Sequence, residues 1–201
     1  MTLREPHKPS YKQASKDALF LILRPLVRWL SIMRVRPDTL TVIGWTLALF
    51  SAVLFGLGYA RIAGAVMLLG GLFDALDGAV ARESNRMSSF GAFLDSTLDR
   101  LSESAVFVGL IFFYSSSARP YEALLAAMAM TFSLLTSYAR ARAEGLNIDC
   151  KVGLLERAGR VVILSVFSIV GLPTVGLGLL AAGALVTTAQ RILHVSRATR
   201  G

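Results

Sequence analysis

Residues Phe73 to Arg100 read F-D-A-L-D-G-A-V-A-R-E-S-N-R-M-S-S-F-G-A-F-L-D-S-T-L-D-R. Asp74 and Asp77 are spaced i, i+3, and Asp95 and Asp99 are spaced i, i+4. On helices, either spacing puts both carboxylates on one face. The flanks are apolar: V-M-L-L-G-G-L-F runs up to Asp74, and A-V-F-V-G-L-I-F-F follows the second pair. Acids in such surroundings are costly and mark a functional site. Carboxylates gathered at one place repel one another unless a cation lies among them. Hard oxygen donors suit Mg²⁺ or Mn²⁺.

The other residues of the stretch sharpen this. Gly78 follows Asp77, Ala81 and Arg82 come one turn later, and Gly91 precedes Asp95 by one turn. A glycine inside a helix costs about 1 kcal/mol against alanine, so it marks close approach by a ligand or another backbone. Arg82 carries a permanent charge and a fork suited to phosphate oxygens. Metal-type acids, small residues and an arginine together describe a site for a diphosphate.

The string Asp74-x2-Asp77-Gly78-x2-Ala81-Arg82-x8-Gly91-x3-Asp95-x3-Asp99 resembles the complete signature of the CDP-alcohol phosphotransferases. These are integral membrane enzymes that move a substituted phosphate from a CDP-linked donor to an alcohol and release CMP. The resemblance implies that Asp74, Asp77, Asp95 and Asp99 hold Mg²⁺ or Mn²⁺, with two ions expected. Asp95 and Asp99 would be catalytic, with Asp99 as general base. It also implies a CDP-lipid site formed by Thr41, Asp74, Gly78, Ala81, Arg82 and Gly91, and a homodimer.

Composition agrees with a membrane protein. Of 201 residues, 54% are hydrophobic and 17% charged, with mean hydropathy +0.60, which a bundle of membrane helices reaches and a soluble domain of this size rarely does. The net charge of +8 suits cytoplasmic loops and anionic headgroups, and no nucleic-acid module is visible. A single cysteine, Cys150, excludes an intrachain disulfide and a cysteine-cluster metal site. No cleavable leader is expected, because the first fifteen residues are polar and charged.

The expected fold is all-α, with an N-terminal amphipathic interfacial helix and six transmembrane helices. Residues 1–38 form a cytoplasmic segment whose helix runs from about Lys16 to Arg34, and residues 39–201 form the catalytic domain. The spans are predicted at 39–59, 61–82, 89–115, 120–143, 155–171 and 174–195. Pro37 is expected to stop the first helix, with Asp38 or Thr39 capping the next. Lysines and arginines concentrate in the N-terminal segment, the 83–88 link, the 140–160 region and the C-terminus. Both termini and the aspartate-bearing helix ends are therefore assigned to the cytoplasmic side of the cell membrane.

A second polar group comes later: Ser137-Tyr138-Ala139-Arg140-Ala141-Arg142-Ala143-Glu144, then Glu156-Arg157-Ala158-Gly159-Arg160, then Gln190-Arg191. Arg140, Arg157 and Arg191 near cytoplasmic helix ends could hold a doubly charged acceptor phosphate. The order of these motifs is similar to the branch that makes phosphatidylinositol phosphate in actinobacteria and archaetidylinositol phosphate in archaea. That likeness implies an inositol phosphate pocket lined by Ser137, Arg140, Arg157 and Arg191. Arg140 stands where actinobacterial members often have lysine, and Gly159 replaces a commoner acid. The expected activity is transfer from CDP-diacylglycerol, or a similar CDP-lipid, to inositol 1-phosphate. The alternatives are phosphatidylglycerophosphate synthesis with glycerol 3-phosphate and, outside enzymes, a cation transporter.

Overall fold

The computed structural model describes residues 24–30, 32, 33, 35, 37–83 and 88–200. The expected tail at 1–15, the start of the amphipathic helix at 16–23 and residues 84–87 of the link lie outside the described residues. Among the described residues, six long helices follow in order: α1 (Pro37–Gly56), α2 (Ala60–Glu83), α3 (Ser89–Ser116), α4 (Pro120–Glu144), α5 (Arg157–Ile169) and α6 (Pro173–Ala198). The described secondary structure is entirely helical. The ends follow the predicted spans closely, the largest differences being Gly56 against 59 and Ala198 against 195.

The start of α1 corrects one expectation. Pro37 opens this helix rather than only ending the one before it, and Asp38 and Thr39 fall in its first turn, not at its cap. Proline is at ease there because the first-turn N–H groups have no intrahelical acceptor. Upstream, residues 24–30 are helical. Their buried Val27 packs with Leu40 of α1 and Leu76, Ala79 and Val80 of α2. Arg24, Arg28 and Trp29 stay exposed, so residues 24–30 have Val27 buried and the arginines and tryptophan open.

Four of the helices, α1, α2, α4 and α6, are long and apolar enough to cross a membrane. The other two differ for separate reasons. α3 has 28 residues, about 42 Å at the usual rise, but Asp95, Asp99, Arg100 and Glu103 all lie within its first fifteen residues. α5 has 13 residues, about 20 Å, short of a hydrocarbon core about 30 Å thick. It starts later than the predicted 155.

The helices close into a ring. α1 packs on α2, α2 on α5, α5 on α6, α6 on α4, α4 on α3, and α3 returns to α1. Small residues permit the tightest crossings, as expected where lipid supplies no hydrophobic drive between helices. A Cβ on Gly109 of α3 would stand 2.2 Å from the Ala52 carbonyl oxygen of α1, and one on Gly64 of α2 would stand 2.7 Å from the Ser165 carbonyl oxygen of α5. Gly58 turns the chain between α1 and α2 with φ +84°, against the Phe113 ring. Phe55, Phe107, Leu110, Tyr114, Leu164, Leu177 and Leu180 fill the interior away from the aspartates.

Gly109→Val drives a side chain into the α1 backbone. We expect it to lower the thermal midpoint of the detergent-solubilised protein by an amount corresponding to about 1–3 kcal/mol. Gly178→Ala, where a Cβ meets nothing within 4 Å, should leave the midpoint nearly unchanged.

Candidate active site

The aspartates sit at one end of the bundle because α2 runs toward it and α3 starts from it. Asp74 and Asp77 lie in the last turns of α2, and Asp95 and Asp99 in the first turns of α3. Ser88 caps α3: its hydroxyl accepts the Gly91 N–H at 2.9 Å, satisfying one of the first-turn donors. Gly91 therefore has a second role, since a Cβ there would stand 2.9 Å from that hydroxyl.

The four acids divide between two connected spaces. Asp74, Asp95 and Asp99 each offer an oxygen within 4.8 Å of the others. They line a pocket of about 40 Å³ with Thr41, Trp45, Ser102, Glu103 and Arg157. Asp77 faces the neighbouring cleft of about 220 Å³, bounded by Pro37, Thr41, Gly78, Ala81, Arg82, Ser88, Gly91, Ala92 and Asp95. Thr41 and Asp95 border both spaces. Five residues assigned from sequence to the CDP-lipid, Thr41, Gly78, Ala81, Arg82 and Gly91, thus share one cleft, while Asp74 belongs to the pocket beside it.

The residues fit a divalent cation. Asp77 is 5% exposed, and its Oδ2 is buried without a hydrogen-bond partner among the described residues. A buried carboxylate oxygen left so is costly unless a cation or donor meets it. In the pocket beside it, the converging donors of Asp74, Asp95 and Asp99 are all carboxylates, the type that suits Mg²⁺ or Mn²⁺ and not softer metals.

The acceptor assignment fares differently residue by residue. Arg157, the first residue of α5, reaches into the carboxylate pocket. Its Nη1 is 2.6 Å from Asp74 Oδ2 and its Nη2 2.8 Å from Asp99 Oδ1. Arg191 is 4% exposed, with Nε donating to the Val152 carbonyl at 3.0 Å and Nη1 to the Thr136 carbonyl. Arg140 pairs with Glu144 at 2.8 Å on its own helix. The Ser137 hydroxyl lies 3.4 Å from Nη2 of Arg160. Arg191 thus reaches the backbone next to Ser137, and Arg140 follows Ser137 by three residues on the same helix. The structure therefore gathers Ser137, Arg140, Arg160 and Arg191 in one region and places Arg157 on the aspartates.

Arg191 belongs to a strap. The connection from α4 to α5 lies along α6 and is held there by side chains of that helix. Thr187 accepts from the Leu155 N–H at 2.9 Å, Gln190 accepts from the Leu154 N–H at 2.8 Å, and His194 Nε2 stands 2.9 Å from the Asp149 carbonyl oxygen. Gly153 takes φ +141° where a Cβ would meet Thr187 at 2.5 Å.

Sequence reading did not single out Glu103 and gave Arg160 no role. They form a bidentate pair, Nε to Oε1 at 2.6 Å and Nη2 to Oε2 at 2.8 Å. The available signal was spacing: Glu103 continues the i, i+4 series of Asp95 and Asp99, and Arg160 follows Arg157 by three.

An all-helical membrane bundle with clustered carboxylates beside a small-residue cleft defines a class: membrane-embedded proteins built to handle a charged headgroup. The CDP-alcohol phosphatidyltransferase family model matches residues 34–190, and the chain belongs to that family. It is 39% identical over 135 residues to an archaetidylinositol phosphate synthase of Methanothermobacter thermautotrophicus, covering 67% of this chain and 66% of the relative. The fold matches the crystal structure of Mycobacterium tuberculosis phosphatidylinositol phosphate synthase with CDP-DAG bound. There the TM-score is 0.77 at 32% identity, over 85% of this chain and 92% of the other. The same mycobacterial enzyme in complex with manganese and citrate matches with TM-score 0.77 at 33% identity, over 86% and 88% of the chains.

Arg191 holds the strap through the Val152 carbonyl, so Arg191→Met should release the loop at 145–156. We expect faster cleavage there in limited proteolysis and a thermal midpoint lowered by an amount corresponding to about 1–3 kcal/mol, since hydrogen bonds from a buried charged donor are lost.

Proposed function

We propose that the chain transfers a phosphatidyl group from CDP-diacylglycerol, or a similar CDP-lipid, to inositol 1-phosphate, releasing CMP. The observation that carries the reading is the convergence of Asp74, Asp95 and Asp99 beside the cleft of Thr41, Gly78, Ala81 and Arg82. Relatives that act on inositol phosphate support the acceptor over glycerol 3-phosphate. A cation transporter is disfavoured by the family match.

Asp74, Asp77, Asp95 and Asp99 would hold two divalent ions, Mg²⁺ or Mn²⁺, as the manganese complex of the mycobacterial enzyme supports. Bound there, they would neutralise the diphosphate and stabilise charge on the departing CMP. Gly78 and Ala81 keep the cleft wall low for the nucleotide, and Arg82 holds a diphosphate oxygen. Asp99 takes the proton from the acceptor hydroxyl. The hydroxyl oxygen bonds to the lipid-bearing β-phosphorus as the bond to CMP breaks. Arg140, three residues after Ser137 on α4, and Arg191, bonded to the adjoining Thr136 carbonyl, bind the acceptor phosphate with Ser137. Arg157, on Asp74 and Asp99, completes that set.

The same reading places six crossings in the membrane, with α3 and the short α5 completing the four apolar spans. The active-site end and both termini face the cytoplasm, where the soluble acceptor is met. Residues 1–38 precede the catalytic domain at 39–201, and two copies associate as a homodimer.

The test is CMP release by the purified protein with Mg²⁺ and CDP-diacylglycerol. Inositol 1-phosphate should support release and glycerol 3-phosphate should not; the reverse would reject the assigned acceptor. Asp99→Asn should lose at least about 10²-fold in kcat while still binding CDP-diacylglycerol in a titration. Near-normal turnover would remove Asp99 as the base.

A further inference from the structure

α3 and α5 are not neighbours in the helix ring, yet their charged side chains meet across its middle. Asp99 and Glu103 lie one turn apart on α3, and Arg157 and Arg160 one turn apart on α5. The result is two rungs: Asp99 with Arg157 at 2.8 Å, and Glu103 with Arg160 at 2.6 Å. The rungs are unlike. Arg157 is 27% exposed and divides its fork between carboxylates of two helices. Arg160 and Glu103 are 1% and 6% exposed, and the whole fork engages one carboxylate.

We propose that the buried Glu103–Arg160 pair is the positioning element of the active site, setting α5 against α3 so that Arg157 stands on Asp74 and Asp99. A two-bond guanidinium–carboxylate fork defines orientation as well as distance. Glu103 borders the same pocket as the converging aspartates, and Arg160 also touches Ser137 of α4. Without the lower rung, α5 keeps its apolar packing on α2 and α6 but loses its register on α3. Arg157 then leaves Asp99, the partner that α3 carries, and the charge of Asp99 is no longer offset. These are positioning residues, because neither need touch substrate.

The inference rests on the metal reading above, and its test separates the two. The experiment uses full-length protein in lipid nanodiscs, with Mn²⁺ binding followed by electron paramagnetic resonance. The variant is Glu103→Leu with Arg160→Met. Replacing both members of a buried pair by apolar residues often leaves stability intact, so the fold should persist while the fork is gone. We expect the Mn²⁺ dissociation constant to fall about tenfold, because a competing cation has left the ligand Asp99. We expect kcat to fall on the order of 10²-fold, as displaced catalytic groups commonly cause. In an Arg157→Ala background the same double change should no longer alter Mn²⁺ binding.

A pair that serves stability alone gives the opposite pattern. Unchanged Mn²⁺ affinity and kcat in a folded double variant overturns the proposal. Should that variant not fold, Arg160→Lys keeps the charge and loses the fork. It should tighten Mn²⁺ binding in the same direction by a smaller factor, and unchanged affinity there overturns the proposal equally. Failure of the unmodified protein to bind Mn²⁺ would overturn the metal reading itself, and this inference with it.

Discussion

Arg157 between Asp74 and Asp99 is the contact on which the active-site end of the bundle depends. Carboxylates cannot gather in a poorly solvated helix bundle without positive charge among them. Arg157 supplies part of that charge from the first residue of α5, so the start of α5 must be delivered to the right place. Three features do this. The close crossing at Gly64 brings α5 against α2. The strap along α6, through Thr187, Gln190 and Arg191, holds the chain that leads into it. The Glu103–Arg160 fork joins it to α3.

The site separates two kinds of chemistry. The larger cleft is walled by Thr41, Gly78, Ala81 and Gly91, short side chains that leave room for a flat, uncharged group. The smaller pocket holds the concentrated charge. Asp95 borders both, so the two spaces meet at a carboxylate. Arg140 and Arg160 each have a carboxylate partner of their own, Glu144 and Glu103, and Arg191 is held on backbone carbonyls. Arg157 is shared between carboxylates of two helices.

The short α5 follows from this division. Charges at both Arg157 and Arg160 occupy its first turn, and the apolar remainder is only long enough to pack on α2 and α6. The span predicted at 155–171 begins at the apolar Leu155, two residues before the helix starts at Arg157. In the structure the N–H groups of Leu154 and Leu155 are used by Gln190 and Thr187 instead of by a helix.

The sequence by itself determined the membrane class, the six helices and the cleft. Hydropathy and turn residues act locally, and the signature of Asp74 to Asp99 sits on two consecutive helices whose connection is short. Their convergence is nearly forced by chain connectivity. It also marked Arg140, Arg157 and Arg191 as important. Only the tertiary structure decided what each does: Arg157 on the aspartates, Arg191 spent largely on backbone carbonyls, Arg160 locked to Glu103. These residues are 57 to 83 positions from Glu103 or Asp74 in the chain, or bonded to carbonyls that leave no trace in residue type. A charge's partner is set by how helices close around it, and a ring closure joining α5 to α2 and α6 is written in small-residue packing, not in any charge pattern along one helix.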